Sequence, residues 1–372
     1  MKVVEVNPFF HPYDGGIERR IYDVSKRLAA KGHEVTVVTG RLSEDLPEEE
    51  TMDGFRVIRL KSKLVKIYNP PFISSKNVVE TLDSLNADVV DYHYRWAPSY
   101  NKDLAEYVGP KVFTYHNMWG EGDGIVGSLS ERNDNRFAKD CLSTFDHIIA
   151  VSDYVRDDLI RRGYSPDYVT SIPPGLSSEP VQGSGSGDFI LSLGRLVRTK
   201  GLDYLIEAMK SVDHRLIICG KGPDAKRLQK AIDKAGLNDR IEMRGFVPDE
   251  ERDRLMGECR FFVMPSLHES FGLAAIELMS RGRPLVCSDA DGLPSTVGEA
   301  GYVVPKADAA ALAEAMNRMF DDRELCESKA AKAIETARSY DWDIMMPKIE
   351  EVYSKVASGE YRFEDSGKGA AE

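Results

Sequence analysis

The feature that most constrains the fold is an alternation of short apolar segments with amphipathic ones, which runs through the chain twice. The first half contains six apolar segments that read as strands: 3–9, 34–39, 55–60, 88–92, 111–115 and 147–151. Residues 17–31 show the intervening helical pattern, because apolar side chains recur every three or four residues until Gly32 ends it. Alternation of this kind predicts an α/β protein with parallel, doubly wound sheets.

The same alternation restarts after a short stretch rich in glycine and serine, residues 182–188. Such a composition is typical of a flexible linker, so we place the domain boundary there. The 372 residues then form two domains of ordinary size, 1–181 and 188–340. A further helix follows at 341–357, and the polar, glycine-rich residues 358–372 are expected to be a disordered tail.

Charge and cysteine usage exclude several classes of protein. The formal net charge is −12, which argues against nucleic acid as a partner. The five cysteines are scattered without a C-x-x-C pair, so we expect buried free thiols in a reducing compartment rather than disulfides or zinc. The N-terminal segment reads as neither a signal nor a transit peptide, and no apolar run approaches the ~20 residues of a membrane helix. We therefore expect a cytoplasmic protein.

One basic segment, residues 59–68, bears on membrane association. It carries four cations but no long amphipathic helix. A weak peripheral contact with the inner face of a membrane and a plain solvated surface both fit it, and the solvated surface is favoured. The sequence does not indicate an oligomeric state.

Two carboxylates follow the apolar run at 261–265. Glu269 lies in the loop after this strand, and Glu277 lies about two turns into the next helix. A loop between a strand and a helix is where α/β proteins bind ligands, because free helix N–H groups and the helix dipole point there. Carboxylates suit sugar and ribose hydroxyls, since both oxygens accept hydrogen bonds. A solvated loop glutamate and a glutamate on a helix face are the alternative.

The run from Glu269 to Glu277, with Phe271, Gly272 and Leu273 between the carboxylates, resembles the signature of the retaining GT-B glycosyltransferases of family 4. The resemblance covers nearly the whole chain and implies two Rossmann-like domains facing each other across a central cleft. It implies that a nucleotide-sugar donor binds mainly to the second domain and the acceptor to the first. The helix at 341–357 would cross back to the first domain.

This resemblance also assigns roles within the motif. Glu277 is expected to hold the ribose hydroxyls of the donor. Glu269 and the backbone of Ser270, Phe271, Gly272 and Leu273 are expected to hold the hydroxyls of the transferred sugar.

A second motif, residues 194–201, reads G-R-L-V-R-T-K-G. The charge of a diphosphate leaving group must be stabilised as the glycosidic bond breaks, and arginine supplies a planar fork and lysine a compact ammonium. The family's diphosphate site resembles this run, which assigns Arg195 and Lys200 to it. No metal and no other cofactor is expected, because these cations and helix N-termini do the same electrostatic work.

Two further loops of the second domain resemble nucleotide-contacting loops of the family. Gly220 and Gly222 end a strand and would let the backbone approach the nucleotide, although a simple turn explains them as well. The turn at 245–247, with Phe246 and Val247, is expected beside the nucleobase.

Two features of the first domain complete the predicted site. Gly15 and Gly16 follow the first strand, where the lack of side chains lets a phosphate approach the next helix; a tight turn is the alternative. His116 ends another strand and resembles the family's active-site histidine, although a lone histidine there is more often structural. The residues 117–135 after it read as a long, acceptor-facing loop.

Asp289-Ala-Asp291 resembles the D-x-D motif of metal-dependent glycosyltransferases, but that motif belongs to a different fold. The family pattern at this place is G-G-x-P-E, and this chain lacks both its first glycine and its final glutamate.

The expected reaction is transfer of a sugar, with retention, from a nucleotide-diphosphate sugar to a lipid-linked, glycan or small-molecule acceptor. A nicotinamide oxidoreductase does not fit, because the first loop reads D-G-G-I-E rather than G-x-G-x-x-G. A same-fold nucleotide-sugar epimerase and a non-catalytic nucleotide-sugar binding protein stay open.

Overall fold

The computed structural model describes residues 1–13, 15–65, 72–120, 124–177 and 180–362. The chain divides into two compact units, one of Met1–Pro174 with Asp343–Glu372 and one of Gly175–Trp342. The division therefore falls at Pro174, earlier than the predicted boundary at 182–188. The predicted disordered tail falls largely on residues 363–372, which lie outside the described residues.

The first unit is built on an eight-stranded sheet with the order β10-β9-β8-β7-β1-β2-β4-β3, in which the pairing of β3 with β4 is antiparallel and the others are parallel. A separate antiparallel pair is formed by β5 and β6. The strands are β1 (Lys2–Val6), β2 (Glu34–Gly40), β3 (Glu49–Met52), β4 (Phe55–Leu60), β5 (Ser62–Val65), β6 (Phe72–Ser75), β7 (Val89–Tyr92), β8 (Lys111–Tyr115), β9 (His147–Ala150) and β10 (Val169–Ser171). The helices are α1 (Gly16–Ala30), α2 (Val78–Leu85), α3 (Pro98–Glu106), α4 (Gly124–Asp140), α5 (Asp153–Arg161) and α13 (Trp342–Ala357).

The central strands of this sheet are apolar along their length because helices cover parallel sheets on both faces. The predicted stripe of α1 is buried as expected, with Ile21, Val24 and Leu28 at most 1% exposed. Two acidic residues stand out in the apolar strands, because Glu5 in β1 and Asp91 in β7 are fully buried.

The second unit holds a six-stranded, wholly parallel sheet with the order β13-β12-β11-β14-β15-β16. The strands are β11 (Phe189–Leu193), β12 (Arg215–Cys219), β13 (Ile241–Gly245), β14 (Phe261–Met264), β15 (Leu285–Ser288) and β16 (Gly301–Val304). The helices are α6 (Leu202–Ala208), α7 (Ala225–Ala235), α8 (Asp249–Glu258), α9 (Leu273–Met279), α10 (Leu293–Val297), α11 (Ala309–Asp321) and α12 (Arg323–Arg338). Strand order and parallel pairing in both units confirm the predicted doubly wound α/β class.

The prediction of a flexible linker at 182–188 is wrong. Residues 181–187, which we call the strap, run along the second unit and are held by backbone hydrogen bonds. Alternate N–H groups of the strap donate to carbonyl oxygens at 2.7–3.0 Å: Val181 to Ser280, Gly183 to Arg281, Gly185 to Gly257, and Gly187 to Glu258. Composition could not reveal this, because glycine backbones form hydrogen bonds as well as any other when an acceptor row is present.

The prediction of a long loop at 117–135 is also wrong, because α4 begins at Gly124. The helix carries Asp134, which is fully buried and forms an ion pair with Arg95 at 2.6 Å. Polar residues that pair inside the fold made this segment look like a solvated loop.

The basic segment presents fewer cations to solvent than its sequence suggests. Arg59 is 4% exposed and its guanidinium pairs with Glu50, so this charge is taken up inside the unit. Lys61 and Lys63 are both exposed, while residues 66–68 lie outside the described residues. Within the described ranges, no helix is both long and apolar enough to cross a bilayer. All five cysteines are buried free thiols, as predicted.

Candidate active site

A pocket of about 220 Å³ lies in the second unit at the carboxyl ends of β11, β12 and β14. The loop after β11 supplies Arg195 and Lys200, the loop after β14 supplies Glu269, and the first turn of α9 supplies Leu273. The carboxyl edge of a parallel sheet is where open α/β folds bind ligands. The structure thus brings both predicted cations and one predicted carboxylate to one pocket.

Lys200 and Glu269 form the charged centre of this pocket. The Lys200 Nζ lies 2.5 Å from Oε2 of Glu269, and the side chains are 23% and 13% exposed. Arg195 is exposed and has no hydrogen-bond acceptor among the described residues. A free guanidinium beside a lysine ammonium suits a polyanionic ligand.

Asp291 holds the loop that carries Glu269. Its carboxylate accepts the backbone N–H of Glu269 at 3.0 Å and lies 3.4 Å from Nδ1 of His268. The residue has a φ of +48°, a left-handed conformation that aspartate adopts more readily than most residues. The other carboxylate of the D-x-D-like triplet, Asp289, accepts the backbone N–H of Lys306 at 2.7 Å. Each of these two carboxylates therefore accepts a backbone N–H of its own unit.

Gly220 and Gly222 allow two pocket loops to touch. A Cβ on Gly220 would lie 1.8 Å from the Gly194 carbonyl oxygen, and a Cβ on Gly222 would lie 2.1 Å from that of Leu196. The Leu196 N–H donates to the Lys221 oxygen at 2.9 Å, which joins the loops. The simple structural role accounts for both glycines, and backbone approach to a nucleotide stays a prediction.

The other residues of the motif around the start of α9 differ in how far they are buried. Phe271 is 4% exposed and its ring packs edge-on against Tyr340, so its side chain belongs to the core and only its backbone can face a ligand. Gly272 begins α9 with a φ of +94°. Glu277 is half-buried and lies one helical turn after Leu273, on the same face of α9.

The turn predicted beside the nucleobase presents one aromatic ring. Phe246 is 64% exposed, and Nζ of Lys221 lies 4.3 Å from the centroid of its ring. Val247 is 9% exposed and packs inward. An exposed ring with a cation above it offers a face on which a planar base can stack.

In the first unit, the two adjacent glycines of the first loop have different surroundings. Gly15 is the extended N-cap of α1, and a Cβ there would lie 2.4 Å from Oε2 of Glu18. Glu18 is 5% exposed and accepts from the side-chain amide of Asn7 at 3.1 Å. A Cβ on Gly16 would meet no atom within 4 Å. Gly15 is therefore required by Glu18, whereas Gly16 leaves open space at the helix start.

His116 lies at one end of a buried chain of hydrogen bonds. Its Nε2 is 3.0 Å from Nδ1 of His93, and Nε2 of His93 is 2.5 Å from Oε2 of Glu5. The Tyr353 hydroxyl, from α13, lies 3.1 Å from Oε1 of Glu5 and 2.6 Å from Oδ2 of Asp91. The chain thus connects the predicted active-site histidine to the C-terminal helix.

Burial sets the protonation of this chain. It raises the pKa of Glu5 to about 7 and lowers the pKa of His93 to about 4. The pKa of His116 is held well below its usual value, first by burial and then by His93. The nearby Arg20 guanidinium is 2% exposed, and none of its three nitrogens has a hydrogen-bond acceptor among the described residues. Arg20 opposes protonation of the histidines.

The hydroxyl of Tyr353 has a single proton and contacts two carboxyls, so one of the two carboxyls carries a proton. Placing that proton on Oε1 of Glu5, whose pKa burial raises to about 7, leaves Asp91, the closer acceptor, to accept from Tyr353. Oε2 of Glu5 then accepts from Nε2–H of His93. Nδ1 of His93 is left to accept from Nε2–H of His116. This order sets His116 as the Nε2–H tautomer.

Glu5, Asp91 and His93 have ligand atoms close enough together to surround a metal ion. Their atoms already serve other partners, since Thr114 donates to both Asp91 oxygens at 2.8–2.9 Å and Tyr353 contacts both carboxyls. The buried positive charge of Arg20 opposes a cation there. The chemistry of this set favours protons over a metal.

Five residues of this cluster were not predicted from the sequence: Glu5, Arg20, Asp91, His93 and Tyr353. A signal for two of them was present, because an acidic residue inside a buried parallel strand has to find a partner. Nothing local marked Arg20 or Tyr353, whose roles depend on which strands their helices pack against.

Comparisons with known proteins agree with this arrangement. The family model for group 1 glycosyl transferases matches residues 179–339, and the model for glycosyltransferase family 4 matches residues 14–179. Together the two models match one unbroken range of the chain.

Two curated relatives are similar over almost the full length. The gpi3 subunit of phosphatidylinositol N-acetylglucosaminyltransferase from Schizosaccharomyces pombe is 27% identical over 371 residues, 95% of this chain and 80% of that protein. Phosphatidyl-myo-inositol mannosyltransferase from Mycobacterium leprae is 28% identical over 377 residues, 96% of this chain and 98% of that protein.

A solved structure shares the fold. Sucrose-phosphate synthase from Thermosynechococcus elongatus superposes with a TM-score of 0.83 at 21% identity, covering 96% of this chain and 99% of that one. The two adjoining family models, the full-length relatives and the two doubly wound units agree with one another. The chain therefore belongs to the family 4 glycosyltransferases and is an enzyme of the GT-B fold that transfers a sugar.

Proposed function

We propose that the protein transfers a sugar from a nucleotide-diphosphate sugar, with retention and without a metal ion, to the hydroxyl of a lipid acceptor. The observation that carries the donor half of this proposal is the pocket of the second unit. It places Arg195, Lys200 and Glu269 together at the carboxyl edge of a parallel sheet. Two cations and a carboxylate match a diphosphate joined to a sugar.

The proposed roles follow from charge. The diphosphate would compete with Glu269 for the ammonium of Lys200, which lies 2.5 Å from that carboxylate. Released from Lys200, Glu269 would accept hydrogen bonds from sugar hydroxyls, while Arg195 would bind the phosphates through its planar fork. Both cations would stabilise the negative charge that grows on the leaving diphosphate.

The bond changes balance without a covalent enzyme intermediate. The bond between the anomeric carbon and the phosphate oxygen breaks, and the acceptor oxygen bonds to the same face of that carbon. The acceptor proton passes to the leaving phosphate. Glu277 would hold the ribose, and Phe246 with Lys221 would provide a face for the base.

A calorimetric titration with a panel of nucleoside diphosphates and nucleotide sugars, with and without EDTA, tests the donor site. We expect binding by one base family that EDTA does not change, and at least a tenfold loss of affinity in Lys200→Ala and Arg195→Ala. Lys226→Ala is the matched control, since it removes the same charge from an exposed position on α7. Equal affinity in Lys200→Ala and in the control would contradict the diphosphate assignment.

The acceptor is the second half of the proposal. The two curated relatives named above carry different sugars in their names, but both names specify phosphatidylinositol. Because the shared element is the acceptor, we favour an inositol-bearing phospholipid, reached by the enzyme at the surface of an inner membrane face from the cytoplasm. Other glycan or small-molecule acceptors are outcomes of the test.

The acceptor is tested with the donor that the titration selects. Vesicles containing phosphatidylinositol are compared with vesicles of phosphatidylglycerol and with free inositol. The products are identified by mass spectrometry. We expect a glycosylated lipid in the first mixture and none in the second. Transfer to free inositol alone, or release of free sugar in every mixture, would contradict a lipid acceptor while leaving the donor site intact.

A further inference from the structure

A second pocket of about 360 Å³ lies in the second unit, at the amino ends of β14 and β15. We call it the arginine pocket: Arg260, Arg283 and Arg323 line it, together with Ser184 of the strap and Glu327 of α12. The donor pocket lies at the other end of the same sheet. The six steps along the chain from Arg260 to Ser266 span roughly 20 Å when extended, so no single phosphate group reaches both pockets.

The charges of this pocket do not balance. Arg323 and Glu327, one turn apart on α12, pair with each other at 2.7 Å. Arg260 and Arg283 are then left without a carboxylate partner within the described part of the chain. Both lie close enough for the charge of one to act on the other.

The hydrogen-bonding groups of these two arginines are mostly unused. Arg283 is 8% exposed, and its Nη2 donates to the Gly183 oxygen at 3.1 Å. Its Nε is buried without an acceptor, and so is the Nε of Arg260. Each guanidinium carries five N–H donors, so the described residues satisfy a small part of them. The backbone of Gly185 lies against Nη1 of Arg283.

Other arginines of the same unit that are at least half-buried are paired with carboxylates. Five more arginines are at least half-buried in this unit, and each has a carboxylate within 4.0 Å: Arg227, Arg240, Arg244, Arg252 and Arg281. Arg260 and Arg283 are the exceptions among the described residues. Exposed Arg195, which the proposed function assigns to a diphosphate, likewise has no carboxylate partner there.

Two neighbouring cations, Arg283 buried and Arg260 half-buried, are unfavourable where the described residues offer them no carboxylate. Burial lowers the pKa of Arg283, and the charge of Arg260 acts in the same direction. Replacing either charge by an apolar side chain would relieve the repulsion, and so would a bound anion. An anion would also satisfy the unused N–H groups.

We propose that the arginine pocket binds the phosphate group of a small ligand through Arg260 and Arg283, at a site separate from the donor pocket. Two guanidinium forks offer paired N–H donors that match phosphate oxygens, and the Ser184 hydroxyl adds a neutral donor at the wall. The volume lies near the lower end for small-molecule sites, which fits a phosphorylated metabolite or a headgroup.

Calorimetry with inorganic pyrophosphate tests the site in the full-length protein. We expect two binding events in wild type, one lost in Arg195→Ala and the other weakened at least tenfold in Arg260→Ala. Arg254→Ala is the matched control, since Arg254 is exposed on α8 and pairs with Glu258. Arg283→Lys keeps the charge of the buried residue, and it is expected to weaken the same event by losing the fork.

The outcomes separate this site from the donor site. Loss of all pyrophosphate binding in Arg195→Ala, with no effect of Arg260→Ala or Arg283→Lys, would overturn the arginine pocket and leave the proposed function standing. Loss in Arg260→Ala alone would support the pocket and count against the diphosphate role of Arg195. A thermal melt of each variant checks that it is folded.

Two further arms identify the source of the phosphate. Glycerol 3-phosphate probes a free phosphomonoester, and sedimentation with vesicles containing phosphatidic acid probes a lipid headgroup. Dependence of either signal on Arg260 supports the site and names its source. Absence of Arg260-dependent binding with pyrophosphate, glycerol 3-phosphate and vesicles alike would overturn it.

Discussion

Each unit of this glycosyltransferase places carboxylates beside cations, but the two clusters differ in burial. In the first unit, Glu5 and Asp91 are fully buried near Arg20. In the second unit, Lys200 and Glu269 keep 23% and 13% of their side chains exposed. In a sealed core, charge is expensive, so protons are placed to satisfy each contact. In a half-open pocket the ion pair is inexpensive and can exchange partners with a ligand.

Removing one carboxylate from each cluster is the strongest test of this difference. Asp91→Ala leaves Arg20 less compensated in the core, so we expect the free energy of unfolding to fall by about 3–5 kcal/mol. Glu269→Ala breaks a pair whose side chains are 13% and 23% exposed and whose lysine can regain water, so the loss should be smaller, about 1 kcal/mol. Urea denaturation measures both. Similar losses in the two variants would show that burial does not separate the clusters.

The pH dependence of stability sharpens the comparison. The pKa of Glu5 is raised from 4.5 to about 7, so the stability of its neutral form is present below pH 4.5 and lost as pH rises to 7. Glu5→Gln keeps the donor that the Tyr353 contact needs and removes this titration. Relative to wild type, the free energy of unfolding of the variant should therefore rise by about 3 kcal/mol between pH 4.5 and 7.

His93 opposes this trend in wild type. Its pKa is lowered from 6.5 to about 4, so the stability it contributes is present above pH 6.5 and lost as pH falls to 4. The two effects on the free energy of unfolding offset each other between pH 4.5 and 6.5. In Glu5→Gln the effect of Glu5 is absent, so the free energy of unfolding should rise with pH over this range because of His93. Denaturation at several pH values measures it. A constant difference between variant and wild type across this range would contradict a protonated Glu5.

The hydrogen-bond chain predicts the tautomer of His116. His93→Phe removes the acceptor for Nε2–H of His116, which loosens the orientation of the imidazole, so transfer should slow by about tenfold. Long-range nitrogen NMR spectra of the histidines report the tautomer without any substrate. We expect an Nε2–H signal for His116 in wild type and a changed one in the variant. An Nδ1–H tautomer in wild type would refute the proposed order of donors.

The smallest predicted effect separates two neighbouring glycines. Gly16→Ala fills open space at the start of α1 and should stabilise the protein by about 0.4–1 kcal/mol. Gly15→Ala forces a contact with the buried Glu18 carboxylate and should destabilise it by about 1–3 kcal/mol. Thermal melts measure both. Slower transfer by a stabilised Gly16→Ala would support the predicted phosphate approach at this helix.

Much of the fold was predictable from local patterns. The apolar segments at 55–60 and 111–115 coincide with β4 and β8, and the last helix, α13, spans its predicted residues. Such segments can be recognised because a buried parallel strand or an amphipathic helix has a characteristic pattern of apolar residues within a short stretch of sequence. Strands β3 and β10 were missed, because short edge strands carry little apolar pattern.

The pocket of the second unit was predictable for a similar reason. Arg195 and Lys200 occur in one loop and Glu269 in another, and both loops follow strands that meet at one sheet edge. Gly220 and Gly222 allow two loops of the second unit to touch, and their predicted contact with a nucleotide stays a prediction.

The sequence by itself determined the doubly wound class, the pocket loops and the residues that supply their charge, because each depends on neighbours within a few positions. Tertiary structure alone decided the rest. It joined Glu5, Asp91, His93 and Tyr353, which are up to 348 residues apart, by a continuous set of side-chain hydrogen bonds. It also held the strap to the second unit and left Arg260 and Arg283 without a carboxylate partner in the part of the chain that the structure describes. Pairing across such distances depends on which strands become neighbours, and no local pattern encodes that choice.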